Sequence, residues 1–130
     1  MAGEIIVTVG LTYKNPTTTG ALGSLVVPSK QVSITQNTAA PSRVGGTQII
    51  GFAAHEALDI TGLTTLGVAL FTNLDDENFV EIGVDVDGTF YPLIRLNFGE
   101  SFAFRFSQGI APYAQADTAD VIMGREILDD

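Results

Sequence analysis

The run Val80-Glu81-Ile82-Gly83-Val84-Asp85-Val86 sets an aliphatic residue against an acid or glycine at every step. A period of two places one set on each face of a β-strand, whereas a helix would scatter both sets around its axis. Phe102-Ala103-Phe104-Arg105-Phe106 repeats the pattern, and no segment sustains a helical period. The breaks between runs are rich in Gly, Pro, Asn and Asp, which supply the backbone angles that turns need. These features predict an antiparallel all-β chain. Strands are expected near 4–12, 30–36, 46–53, 66–73, 79–86, 90–96, 101–107 and 120–128, with doubtful short ones near 24–27 and 56–60. About eight or nine short strands imply an antiparallel β-sandwich, jelly-roll-like, in a single domain over residues 1–130.

The neighbouring runs 80–86 and 90–96 pose a problem of parity. Val80, Ile82, Val84 and Val86 share one face, and Phe90, Pro92, Ile94 and Leu96 form the better apolar set of the next run. A two-residue turn at Asp87-Gly88 would pair Val84 with Tyr91 and Val80 with Arg95, crossing the two patterns. A loop with an odd number of residues keeps the aliphatic sets together. The expectation is therefore a type I turn over Val86-Asp87 with Gly88 left-handed in a bulge. Phe102, Phe104 and Phe106, each worth about 2–3 kcal/mol when buried, mark 101–107 as a central core strand.

Two segments read differently. Residues 12–24, TYKNPTTTGALGS, are polar and rich in Thr and Gly, which suits an extended loop or arm. Residues 108–119, QGIAPYAQADTA, are small and read as a second long loop, of the kind usually functional or mobile. Corners are expected around Pro28-Ser29 and Ala40-Pro41-Ser42.

Chemistry is sparsely represented. There is no cysteine, which removes disulfides, thiolate nucleophiles and cysteine metal sites. The one histidine, His55, has Asp59 four positions on, where a zinc-protease helix would carry its second histidine. It reads as a surface or rim residue, and no nucleophile-elbow string surrounds any serine. Gly45-Gly46-Thr47 lacks the lysine of a phosphate loop. Residues 75–88, DDENFVEIGVDVDG, hold six carboxylates in fourteen positions. Calcium takes six to eight oxygens, but an intervening strand at about 3.3 Å per residue holds Asp75-Asp76 roughly 25 Å from Asp85 and Asp87. One ion cannot bridge them. The acids read instead as turn formers and a wet strand face, and neither a metal nor a cofactor is expected.

The formal net charge of −9 argues against nucleic acid, whose phosphates demand Lys and Arg. The charge is uneven. Residues 1–50 set Glu4 against Lys14, Lys30 and Arg43 for a balance of +2, while residues 51–130 set fourteen acids against Arg95, Arg105 and Arg125 for −11. The longest apolar stretches, such as Leu66–Phe71, are far too short to span a bilayer. The opening MAGEIIVTVG has an acid where a secretory leader would be basic, so an unprocessed chain is expected. With 45% hydrophobic residues, part of the apolar surface is expected to be hidden against other subunits.

Asn73-Leu74-Asp75-Asp76-Glu77-Asn78-Phe79-Val80-Glu81-Ile82-Gly83, then Gly88–Leu96, Phe98-Gly99-Glu100, Ala111-Pro112-Tyr113-Ala114 and the acidic end Glu126–Asp130, resembles small structural proteins of tailed bacteriophages and prophages. The likeness covers residues 45–130. It implies a β-sandwich virion component, non-enzymatic, used as a capsid decoration or cement protein or else on the tail. On that reading the partners are the major capsid protein or other virion proteins and further copies of the chain, with no nucleic acid and no membrane. Tyr13, Lys14, Pro16, Leu22 and Tyr113 are the candidate interface residues. The alternative is a tail or baseplate component, including a receptor- or carbohydrate-binding module using Phe79, Tyr91 or Tyr113. A small hydrolase is the remaining class.

Overall fold

A computed structural model describes residues 3–11, 30–38, 43–107 and 109–129, with packing defined from residue 43 onward. Among the described residues there are ten strands and no helix: β1 (Gly3–Leu11), β2 (Lys30–Thr38), β3 (Arg43–Ile50), β4 (Glu56–Ala57), β5 (Leu66–Asn73), β6 (Val80–Val86), β7 (Thr89–Leu96), β8 (Ser101–Arg105), β9 (Pro112–Ala116) and β10 (Val121–Asp129). β1 and β2 pair as a two-stranded antiparallel ribbon. The other eight strands form two four-stranded antiparallel sheets, ordered β3-β10-β5-β8 and β4-β9-β6-β7. The chain is all-β, as the alternation predicted. The doubtful strand near 24–27, the arm at 12–24 and the corners at 28–29 and 40–42 lie outside the described residues.

The two sheets close on one core in a β-sandwich-like arrangement. Ile50, Phe71, Val121, Met123 and Ile127 come from one sheet, and Val80, Ile82, Leu96, Ala114 and Ala116 from the other. β10 shows the period directly: Val121, Met123, Arg125 and Ile127 are buried, while Ile122 between them is exposed. Phe71 anchors the aromatic part of the core, tilted on Phe104 at 5.7 Å and edge-on to Phe106 at 6.3 Å.

Three expectations need correction. The segment 108–119 is not one long loop, because Pro112–Ala116 is a strand between β4 and β6. Its inward set is Pro112, Ala114 and Ala116, all buried, so the alternation exists but is written in small residues that carry little apolar contrast. Pro112 is tolerated as the first residue of the strand, where its missing N–H costs no ladder bond. Secondly, β8 is an edge strand rather than a central one. Phe104 and Phe106 do pack inward, but Phe102 remains 41% exposed.

The third correction concerns the β6–β7 turn. Val86 pairs with Thr89, leaving Asp87 and Gly88 as a two-residue loop with φ of 52° and 82°. Both central residues are left-handed, which is the type I′ arrangement whose twist suits a hairpin. Val84 accordingly pairs with Tyr91, the crossing that the odd loop was meant to avoid. The parity is restored further along. Gly83 pairs with Pro92 but Ile82 pairs with Ile94, so Leu93 is an extra residue in β7. Beyond this bulge Val80 stands opposite Leu96, and both are buried. The bulge brings backbones together: a Cβ on Gly83 would lie 2.0 Å from the Tyr91 carbonyl oxygen and 2.8 Å from Cα of Pro92. Glycine is required there, and Pro92 sits on an edge strand beside a bulge, where a residue without an N–H is accepted.

Candidate functional site

The two acid groups of residues 75–88 lie at opposite ends of β6, as their spacing required. At the entering end, Asp75 shapes its own loop. Its carboxylate accepts from the N–H groups of Asp76 at 2.7 Å and Glu77 at 3.3 Å and from the Asn78 side-chain amide at 3.1 Å. The Asn78 bond, followed by that of Asp76, holds the Asp75 carboxyl below its ordinary value. Beneath this loop Asn73 is fully buried. Its amide donates to the carbonyls of Asn78 at 2.8 Å and Leu96 at 3.0 Å, and its oxygen accepts from the Asp75 N–H at 2.9 Å. One side chain thus fastens the end of β5 to the 75–78 loop and to the end of β7.

At the other end of β6, Asp85 does more than keep a face wet. Cross-strand pairing sets Asp85 beside Phe90 and Gly83 beside Tyr113, and residues two apart on a strand share a face. His55, just ahead of β4, reaches onto this face. Its Nε2 is 2.5 Å from Asp85 Oδ2, and both side chains are about four-fifths covered. The imidazole stacks on Phe90 at 5.3 Å between centroids and 13° between planes, and meets Tyr113 at 5.6 Å and 57°. The other Asp85 oxygen accepts from the Gly88 N–H at 3.0 Å, closing the turn. The hydrogen bond from His55, then that from Gly88, lowers the Asp85 carboxyl.

Four elements therefore meet at His55, Asp85, Phe90 and Tyr113. An Asp–His pair orients an imidazole, and it becomes catalytic when a third group offers a nucleophile or a proton to move. Here the described partners of His55 are one carboxylate and two aromatic rings, which tie the 51–57 segment to β6, β7 and β9. Among the described residues no group of three or more His, Cys, Asp and Glu side chains could hold a metal ion.

The predicted interface residues divide in two. Tyr13, Lys14, Pro16 and Leu22 lie outside the described residues, whereas Tyr113 is half-buried against His55. The three aromatics considered for sugar binding are not brought together as a set. Phe79 carries Arg95 at 3.9 Å over its ring, and Tyr91 stands exposed on the far strand of the sheet. Sequence reading missed the His55 cluster because it assembles across thirty and more positions. The available signal was the Asp87-Gly88 dipeptide, whose two-residue turn puts Asp85 opposite Phe90. Tyr113 joins only once 112–116 is recognised as a strand. No protein-family model, no curated protein and no solved structure matches the chain.

Proposed function

We propose that the chain is a non-enzymatic structural protein of a tailed-phage virion, seated on the capsid surface as a decoration or cement protein that binds across subunit junctions. The observation that carries the reading is the apolar surface left on both sheets of a well-fastened body. Ile49 and Ile122 are 64% and 49% exposed on one sheet, and Tyr91 and Leu93 are 51% and 72% exposed on the other. Exposed aliphatic groups that adjoin in a patch mark places where a protein meets a partner, and Ile49 and Ile122 adjoin as a cross-strand pair. The segments that carry the phage resemblance support a structural role, since they supply joints: Asn73 under the 75–78 loop, Gly83 at the bulge and Gly88 in the turn.

A jelly-roll winding belongs to the same proposal. β3 pairs with β10, β4 with β9, β5 with β8 and β6 with β7. That nesting is what remains when one long hairpin is rolled into two sheets. Many modest contacts across junctions hold a shell through multivalency, with the major capsid protein as the partner. Microscopy of intact particles carrying a labelled chain tests the assignment. Uniform labelling of the shell is the expected result; labelling confined to one vertex or to the tail overturns it in favour of a tail or baseplate component.

A further inference from the structure

On the outward side of the β3-β10-β5-β8 sheet, three aliphatic residues form a row across three segments. Ile122 pairs with Ile49, and the Leu74 N–H donates to the Ile122 carbonyl at 3.0 Å. Ile49 is 64% exposed, Ile122 49% and Leu74 54%. Beside the row Gly124 separates Thr47 from Thr72, and with Leu70 and Leu74 they line a hollow of 260 Å³. At the row's end Leu74 and Ile122 floor a hollow of 340 Å³ walled by Asp75, Asp76 and Asp120. Asp75 is engaged by its own loop, while Asp76 and Asp120 are exposed.

A surface with an aliphatic centre and a carboxylate wall is complementary to apolar residues flanked by lysine. The chain itself carries such a sequence. Its first fifty residues set Lys14, Lys30 and Arg43 against the single acid Glu4, in a protein whose net charge is −9. Arg43 already faces Glu126 of its own copy at 3.5 Å, and Lys14 and Lys30 are the other two cations of these fifty residues. We propose that the Ile49–Ile122–Leu74 face, with Asp76 and Asp120, is a self-association surface that receives the lysine-bearing N-terminal part of a second copy. The contact joins unlike surfaces, so it is head-to-tail and builds rings or chains rather than only isologous dimers. It concerns the purified chain and stands independently of where the protein sits on a particle.

Analytical ultracentrifugation of the full chain at low and high salt tests this, with circular dichroism confirming that each variant is folded. The wild type should sediment as multiples of 13.7 kDa and shift toward monomer as salt screens the charges. Asp76→Lys with Asp120→Lys, and separately Lys14→Glu with Lys30→Glu, should each be monomeric. Mixing the two should restore association, because each altered surface then meets its opposite. Ile122→Ser should also give monomer without changing charge. A wild type that stays at 13.7 kDa at low salt overturns the proposal. So do swapped variants that associate like the wild type, or a mixture that remains monomeric.

Discussion

Replacing Asn73 by alanine removes three hydrogen bonds from a fully buried position: those to the carbonyls of Asn78 and Leu96 and that from the Asp75 N–H. Each is worth a net of about 1 kcal/mol, so the loss would be about 3 kcal/mol if no partner were re-satisfied. The 75–78 loop borders solvent, and water can reach the Asp75 N–H more readily than the Leu96 carbonyl, which belongs to a buried residue. The expected cost of Asn73→Ala is therefore about 2–3 kcal/mol. With an unfolding entropy of about 2.1 cal/mol/K per residue over 130 residues, that lowers Tm by roughly 7–11 °C. Asn73→Asp separates hydrogen bonding from simple loss of volume. A carboxylate keeps the shape but turns two donors into an acceptor facing two carbonyl oxygens, so burial must raise its pKa. A raised folded-state pKa makes the acid increasingly destabilising as pH climbs above the unfolded value, about 3.9, and least so below it. Asn73→Asp should thus be less stable than Asn73→Ala at neutral pH, and the gap should narrow in acid. Urea titrations of the three proteins at several pH values measure this. An Asn73→Ala variant within about 0.5 kcal/mol of wild type would refute the reasoning, as would an Asp variant whose deficit ignores pH.

Gly83→Ala forces a Cβ into the Tyr91 carbonyl and should destabilise by at least about 1–3 kcal/mol in denaturant titration; deleting Leu93, the extra residue of the bulge, should reduce that penalty, and additive effects would count against the bulge account. Asp87→Val places a β-branched residue at φ 52° and should lose about 1–2 kcal/mol, whereas Asp87→Asn should be close to neutral, both read from Tm. His55→Ala removes the main cause that lowers the Asp85 carboxyl, so its titration followed by carbon NMR should move up toward the ordinary range; an unmoved titration would show that the pair does not form. Asp59, Asp75, Asp85 and Asp129 are all lowered in the folded protein. Unfolding therefore takes up protons, so Tm should hold above about pH 5 and fall as pH drops through the ordinary carboxylate range and below.

The alternation of β6 was legible because an aliphatic residue faced an acid or glycine at every step. β9 was obscured for the opposite reason. Its inward residues are Pro112, Ala114 and Ala116, and the outward Tyr113 and Gln115 are the larger side chains, so the visible pattern ran against burial. The β6–β7 hairpin shows a different limit. Parity correctly required one extra residue between Val86 and Leu96, but parity cannot say where that residue goes. The local conformations decided it: Asp87-Gly88 accepts two left-handed residues cheaply, while Gly83 offers the one site in β6 where the partner backbone can crowd in. The turn could have been chosen from its dipeptide, and the bulge from the coincidence of Gly83 with the mismatch. The His55 cluster needed both of those steps and β9 as well, which is why one histidine looked isolated.

The positions of the fastenings bear on what the surface can do. Both ends of the β6–β7 hairpin are tied to other parts of the body by polar side chains, through Asn73 at one end and the His55–Asp85 pair at the other. Between them the bulge fixes the register, so the aliphatic side chains of the sheet cannot slip to the opposite face. Across the core, β10 is held on both flanks by β3 and β5, which fixes Ile122 beside Ile49 and Leu74. A flexible surface loses affinity to the ordering of loops and side chains on contact. A row of aliphatic residues along one end of a sheet, with its neighbours locked by ladder bonds, loses little. The polar side chains of Asn73, His55 and Asp85 thus fasten the hairpin to the rest of the body. On the proposed reading, contact with a partner falls to the apolar residues that the fixed strands turn outward.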